Sequence, residues 1–113
     1  MNGGEFFGRE LAWSPAEKKI ARRAYEQAYQ RHCASIRAKV TKMLATASAP
    51  SDIWKIYDYL SGQRRTFDKM YDYRYSVLVT VFSVLLSEGW LTVADLAGLQ
   101  ENKIEQIQKW AAL

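Results

Sequence analysis

The sequence predicts an all-α fold: two long antiparallel helices followed by two short C-terminal helices, forming a helical homodimer. Three observations carry this. Between Pro15 and Pro50 there is neither proline nor glycine, and from Ser51 to Glu88 the only glycine is Gly62. Strands rarely exceed about ten residues, so breaker-free runs of this length are helices. Within each run apolar residues recur at 4-3 spacing, the signature of one helical face. In the first run these are Tyr29, Cys33, Ile36, Val40, Met43 and Ala47; in the second they are Ile53, Tyr57, Leu60, Phe67, Tyr71, Leu78, Val81 and Leu85, with Arg64 and Arg74 filling the remaining places.

The first element to justify is an arm over 1–12. Gly3, Gly4 and Gly8 fall there and no periodicity does, so it is expected to be flexible and outside the fold. A single domain over 13–113 follows, with a long-helix hairpin over about 14–88 and a helical cap over about 89–113. Ser14-Pro15-Ala16-Glu17 supplies an N-cap serine, proline at the first helical position and glutamate three residues after the cap. Helix 1 then runs to about Thr46, and Ala47–Pro50 links it to helix 2. No turn residue interrupts the chain before Glu88-Gly89, where glycine fits the left-handed position after a helix and Trp90 can fold back on the last turn. Val77, Val79, Val81 and Val84 favour a strand by propensity; the absence of a turn before them makes helix the prediction. Thr92-Val93-Ala94-Asp95 resembles a second capping box opening a short helix, Gly98 ends it, and a last helix covers about Glu101 to Ala112.

Composition narrows the function. The chain has 113 residues, 49% apolar and 25% charged, which suits one globular domain and excludes disorder. Cys33 is the single cysteine and His32 the single histidine, so an internal disulfide, a thiolate metal cluster, paired-histidine metal sites and most catalytic triads are excluded. We therefore expect no catalytic residue, metal or cofactor. The longest nearly apolar run, Val77 to Leu86, is half a membrane span, and the start lacks the pattern of a secretory leader, which predicts a cytoplasmic protein with no membrane span.

A hairpin of two long helices is one layer thick and cannot bury both sides of both helices. Helix 2 carries further large apolar groups off its stripe, including Trp54, Ile56 and Tyr59. A second copy related by a two-fold axis is the simplest cover. Arg64 lies within the stripe, where a charge needs a counter-charge. Asp68 stands at i+4, whereas Asp58 is six residues away and about 120° to the side on one helix, so Asp58 and Arg64 pair more easily across the two-fold axis. Trp54 and Asp58 share a face at i, i+4. Charge is uneven: Ser14–Thr46 holds eight cations against Glu17 and Glu26, a net +6, while Ser51–Glu88 is neutral. His32 and Cys33 read as helix-surface and seam residues, and Tyr71, Tyr73 and Tyr75, alternating around a helix, read as separate packing groups rather than one platform.

An ordered set of segments carries a family likeness. Trp13-Ser14, Ala28-Tyr29-Gln30-Arg31, Trp54-Lys55-Ile56-Tyr57-Asp58-Tyr59-Leu60-Ser61, Arg64, Tyr71-Asp72-Tyr73-Arg74-Tyr75-Ser76-Val77-Leu78, Val81-Phe82 and Glu88-Gly89-Trp90-Leu91 together resemble the fluorescence recovery protein family over about residues 13–110. The resemblance implies a small helical dimer of cyanobacteria without catalytic chemistry. It implies binding to the C-terminal domain of photoactivated orange carotenoid protein, faster return of that partner to its resting form, and its release from the phycobilisome. The carotenoid belongs to the partner. The resemblance places Trp54, Asp58 and Arg64 in the region of dimerisation and partner binding, and Tyr57 and Leu60 lie in the same stretch. It also implies peripheral association with the cytoplasmic face of the thylakoid through the phycobilisome. Two departures stand out: the family often has histidine where this chain has Tyr57, and lysine where it has Met70.

Two other classes compete with a regulatory binding protein. A basic helix 1 and the Leu86–Thr92 turn suit nucleic-acid binding, but the following helix is short and acidic at Asp95, a poor reader of bases. Small intertwined helical dimers with buried arginines can be chorismate mutases, but the arginines here alternate with acids that would neutralise them. A scaffold of the same family with a different partner is the remaining alternative.

Overall fold

The computed structural model describes residues 12–113, an elongated molecule of 61 × 25 × 24 Å. The arm expected over 1–12 lies, apart from its last residue, outside the described residues. Four α-helices follow in order: α1 (Pro15–Thr46), α2 (Asp52–Met70), α3 (Leu78–Ser87) and α4 (Glu101–Ala111), with a 3₁₀ turn at Val93–Leu96 between the last two. There is no strand among the described residues.

The start of α1 is as the sequence predicts. The Ser14 hydroxyl accepts from the Glu17 amide, and the Ser14 amide donates to the Glu17 carboxylate, both at 3.1 Å. Glu17 has a second task. Its two carboxylate oxygens accept from Lys103 Nζ at 3.0 Å, and one accepts from the Gln100 amide at 2.9 Å. Both partners of this ion pair are buried. Burial pushes the Glu17 carboxyl up, but the Gln100 and Ser14 amides and Lys103 outweigh it, so the group sits below the usual carboxylate range.

The core lies around the first half of α1. Ala21, Ala24 and Ala28 present no side chain beyond Cβ, so the 3₁₀ turn comes close to α1, while α3 packs chiefly on α4; Leu78, Val81, Phe82, Leu85, Leu91, Leu96 and Ile107 are buried in one cluster with the three alanines. A helix apolar on most sides, as α3 is, must be enclosed. The chain leaves α3 through Gly89, at φ +85°, a left-handed conformation that glycine adopts without strain. Arg31 ties the following loop to α1: its guanidinium donates to the Trp90 carbonyl at 3.0 Å and to both Asp95 oxygens at 2.7 and 3.2 Å. Asp95 also caps the 3₁₀ turn in a box with Thr92, as predicted. The Arg31 hydrogen bond, with help from Thr92, holds the Asp95 carboxyl down at about 2. We call this packed half the head, and the bare pairing of the far half of α1 with α2 the stalk.

The second predicted helix is corrected. It is not continuous over Ser51–Glu88: it breaks after Met70, and residues 71–77 run without helix to α3. The reason is the tyrosine pattern. In a helix Tyr71, Tyr73 and Tyr75 point apart, but in non-helical, extended-like chain alternate residues face one way. All three lie along α1 in descending order. Tyr71 donates to the Ala28 carbonyl at 3.3 Å, Tyr73 to the Lys18 carbonyl at 3.5 Å, and the Tyr75 ring lies 5.7 Å from that of Trp13. Tyr25 meets both Tyr71 and Tyr73 edge-on. The same descending order shows α2 and its extension to be antiparallel to α1, so the hairpin stands while its second arm is shorter than expected. The valine-rich stretch does form a helix, from Leu78.

His32 is also corrected. It is not a surface residue but 5% exposed, at the meeting point of head and stalk. Its ring stacks on Trp90 at 4.1 Å and packs on Phe67 at 4.3 Å, and its Nδ1 lies 3.0 Å from the Tyr71 hydroxyl. Burial lowers its pKa, favouring the neutral ring.

Candidate functional site

The stalk begins at a tightly tied turn. One Asp52 oxygen accepts from the Ser48 and Ala49 amides, each at 2.9 Å, and Lys55 stands 3.3 Å from the other. These amides, then Lys55, hold the Asp52 carboxyl down at about 2. The turn fixes where α2 leaves α1 and therefore which side of α2 faces outward.

Two sides of α2 result. Ile56 and Phe67 are buried, with Tyr59 and Gln63 half-buried between them on the same side. Phe67 meets Tyr29 edge-on at 5.1 Å and packs on His32. The predicted stripe lies on the next side and is exposed in the single chain: Ile53 at 53%, Tyr57 at 61% and Leu60 at 42%, with Arg64 continuing the row. Its lower members are buried: Phe67 because it packs on Tyr29 and His32, and Leu78, Val81 and Leu85 because the break after Met70 resets the rotation of the chain.

Trp54 is 66% exposed and lies beside this row, its ring edge-on to Tyr57 at 6.3 Å. Asp58 is exposed on the Trp54 side. Trp54, Tyr57 and Leu60 are thus brought together as a continuous apolar surface. Asp58 and Arg64 are not: Arg64 Nε instead lies 3.3 Å from Asp68, the i+4 partner, and both side chains are largely exposed. Leu44, near the end of α1, adds a further exposed apolar group to the stalk.

Leu60 and Arg64 also form the lip of a groove of about 370 Å³ between α1 and α2. Tyr29, Cys33, Ile36 and Phe67 line it, with Tyr71 towards the head. The first members of the predicted helix 1 stripe therefore line an open groove, Tyr29 and Cys33 exposed and Ile36 half-buried; Val40 and Met43, also half-buried, lie beyond it. Gln63 and Asp68 belong to the same groove; Asp68 is the predicted i+4 neighbour of Arg64, whereas Gln63 had no sign in the sequence, since polar residues on a helix carry no periodic signal of their own. The row Ala21, Ala24, Ala28 and His32 would have placed His32 inside, since its 3-4-4 spacing continues a run of small residues.

Chemically the stalk offers surface rather than a reaction centre. It presents large apolar and aromatic groups, flanked by Asp58, Arg64 and Asp68, on two rigid helices. Such a surface serves protein association, where buried aromatic and arginine anchors dominate binding.

Residues 13–111 match the family described as photoprotection regulator fluorescence recovery protein. The chain is 36% identical over 104 residues to the fluorescence recovery protein of Synechocystis sp. PCC 6803, spanning 92% of this chain and 95% of that protein. Its structure is similar to that of the Fremyella diplosiphon fluorescence recovery protein, with a TM-score of 0.84 and 35% identity. It is equally similar to the Synechocystis structure, with a TM-score of 0.85 and 35% identity. Each of these alignments covers 90% of this chain and all of the other.

Proposed function

The chain belongs to the fluorescence recovery protein family of photoprotection regulators, and from that premise we propose that it binds the C-terminal domain of photoactivated orange carotenoid protein and accelerates its return to the inactive orange form. This ends quenching at the phycobilisome. The protein does so without catalytic chemistry or a cofactor of its own, as a homodimer, in the cytoplasm, meeting the thylakoid face only through the phycobilisome.

The observation that carries this reading is the exposed row Ile53, Tyr57 and Leu60, with Trp54 beside it, on the stalk. Single apolar side chains on a surface are ordinary; a contiguous row flanked by charges marks an association site. A second copy crossing the stalk covers Ile53, Tyr57 and Leu60 and the groove beside them. The same crossing offers Arg64 the partner copy's Asp58 in place of its exposed Asp68. Trp54, off to the side of the row, is left as an anchor for the carotenoid protein.

The test is the red-to-orange change of photoactivated carotenoid protein followed in darkness. Wild type accelerates it, and Trp54→Ala and Arg64→Leu accelerate it less. Light scattering on the same samples gives twice the chain mass for wild type and Trp54→Ala. Tyr57→His raises the acceleration, because imidazole offers two ring nitrogens or a positive charge where tyrosine offers one hydroxyl. A wild-type protein that is monomeric at micromolar concentration, or that leaves recovery unchanged, overturns the reading.

A further inference from the structure

The first two turns of α1 carry Lys18, Lys19, Arg22 and Arg23, all exposed. None of the four has a carboxylate within ion-pair distance among the described residues. Glu17, the acid next to them, is turned inward and held by Lys103. This placement works against the helix. Like charges at i, i+4 repel by about 0.2–0.5 kcal/mol per pair, and 18–22 and 19–23 are two such pairs. Cations near a helix start also oppose the positive end of the macrodipole. The fold nevertheless holds two of the four in place. The Arg22 guanidinium sits 3.8 Å from the centroid of the Tyr73 ring, and Lys18 Nζ 5.1 Å from that of Tyr75. Lys19 and Arg23 lie on the side of α1 away from the alanine row, about 140–180° round the helix.

We propose that this cationic face is a docking surface for an acidic protein face, carried by the same partner that the stalk anchors. The inference rests on the function proposed above and adds a second contact to it, on the head. A carboxylate-rich polypeptide supplies the counter-charge that these four cations lack among the described residues, Glu26 on the same helix making no ion pair with them. Nucleic acid fits less well, because the Tyr73 and Tyr75 rings are covered by Arg22 and Lys18 and cannot stack on bases. A bilayer fits less well, because the residues between the cations, Ile20 and Ala21, turn to the core and leave nothing apolar to insert.

The test uses the full chain and two charge-matched variants. Lys19→Glu/Arg23→Glu removes the outward cations; Lys39→Glu/Lys42→Glu makes the same charge change on the far half of α1. Binding is measured to the carotenoid protein's C-terminal domain and, separately, to poly-L-glutamate, duplex DNA and vesicles containing anionic lipid. At low salt, about 50 mM, Lys19→Glu/Arg23→Glu weakens binding to the domain about tenfold, and the control stays within about twofold of wild type; near 0.5 M salt the three converge, since screening removes the contact. Equal binding by wild type and Lys19→Glu/Arg23→Glu at low salt overturns the proposal. So does tighter retention on DNA or vesicles than on poly-L-glutamate, lost in that variant, which assigns the face to nucleic acid or membrane. If wild type does not bind the domain at any salt, the functional reading fails by itself. Poly-L-glutamate then decides the face: retention lost in Lys19→Glu/Arg23→Glu and kept in the control upholds it, and any other pattern overturns it.

Discussion

Head and stalk are built from the same kinds of residue and end in opposite states. In the head, α3 buries Leu78, Val79, Val81, Phe82 and Leu85, and even a charged pair, Glu17 and Lys103, is enclosed with its hydrogen bonds made. In the stalk, α2 encloses Ile56 and Phe67 but leaves Ile53, Trp54, Tyr57 and Leu60 in solvent. The difference is one of layers. The head has α1, α3, the 71–77 segment and the C-terminal turn and helix around one centre, whereas the stalk, among the described residues, has two helices. A stripe of apolar residues therefore does not say whether it faces its own chain; that depends on how many elements are at hand to cover it.

The first way to break this comparison is to damage the head from inside. Lys103→Met leaves Glu17 buried without its cation and should cost about 3–5 kcal/mol, read as a lower urea midpoint with an unchanged slope. Glu17→Gln/Lys103→Met should recover a large part of that loss. A Lys103→Met protein as stable as wild type would show the head to be looser than its geometry.

Leu60→Ala sharpens the contrast. At 42% exposure in one chain, its truncation should be nearly silent at high dilution. Under the proposed pairing the loss is about 2–5 kcal/mol at concentrations where the dimer persists, because the side chain is then enclosed. Thermal unfolding over a hundredfold range of protein concentration separates the two. A small effect at every concentration would place the seam elsewhere.

The smallest effect sits where the two regions meet. Burial lowers the pKa of His32 in the folded state below the ordinary histidine value of about 6.5. A depressed pKa means that the folded state binds fewer protons than the unfolded state, so stability is kept above the unfolded value and lost as pH falls below it. The melting temperature should decline as pH falls below about 6.5, in the interval above the titration of the lowered carboxyls of Glu17 and Asp95. His32→Phe keeps a ring between Phe67 and Trp90 and should flatten that part of the profile. A wild-type melting temperature independent of pH across the interval would count against a neutral buried ring.

Much of this was legible in the residues. Ser14-Pro15-Ala16-Glu17, Thr92–Asp95 and Gly89 name their own positions, because capping and left-handed backbone are local chemistry. The break after Met70 has neither glycine nor proline beside it, the residues that ordinarily mark a helix end. The available sign was the alternation Tyr71, Tyr73, Tyr75, a period of two, which only long-range packing on α1 makes decisive. The predicted set Trp54, Tyr57, Asp58, Leu60 and Arg64 falls on α2 of the stalk, but its exposure in the single chain had no sign in the residues, because exposure depends on the layer count. The inward turn of Glu17 towards a lysine near the other terminus had no local sign at all.

That last contact has a bearing on how the chain is made. Glu17 and Lys103 stand 86 positions apart, so α1 leaves the ribosome long before its partner exists. At about 5–20 residues per second the delay is roughly 4–17 s. Through that interval the alanine row and its buried-to-be carboxylate wait uncovered, and only local caps and α1–α2 pairing can hold the nascent chain. The head closes last and closes by its tail, so a message truncated before codon 103 should yield a chain that displays a stalk but never acquires a head.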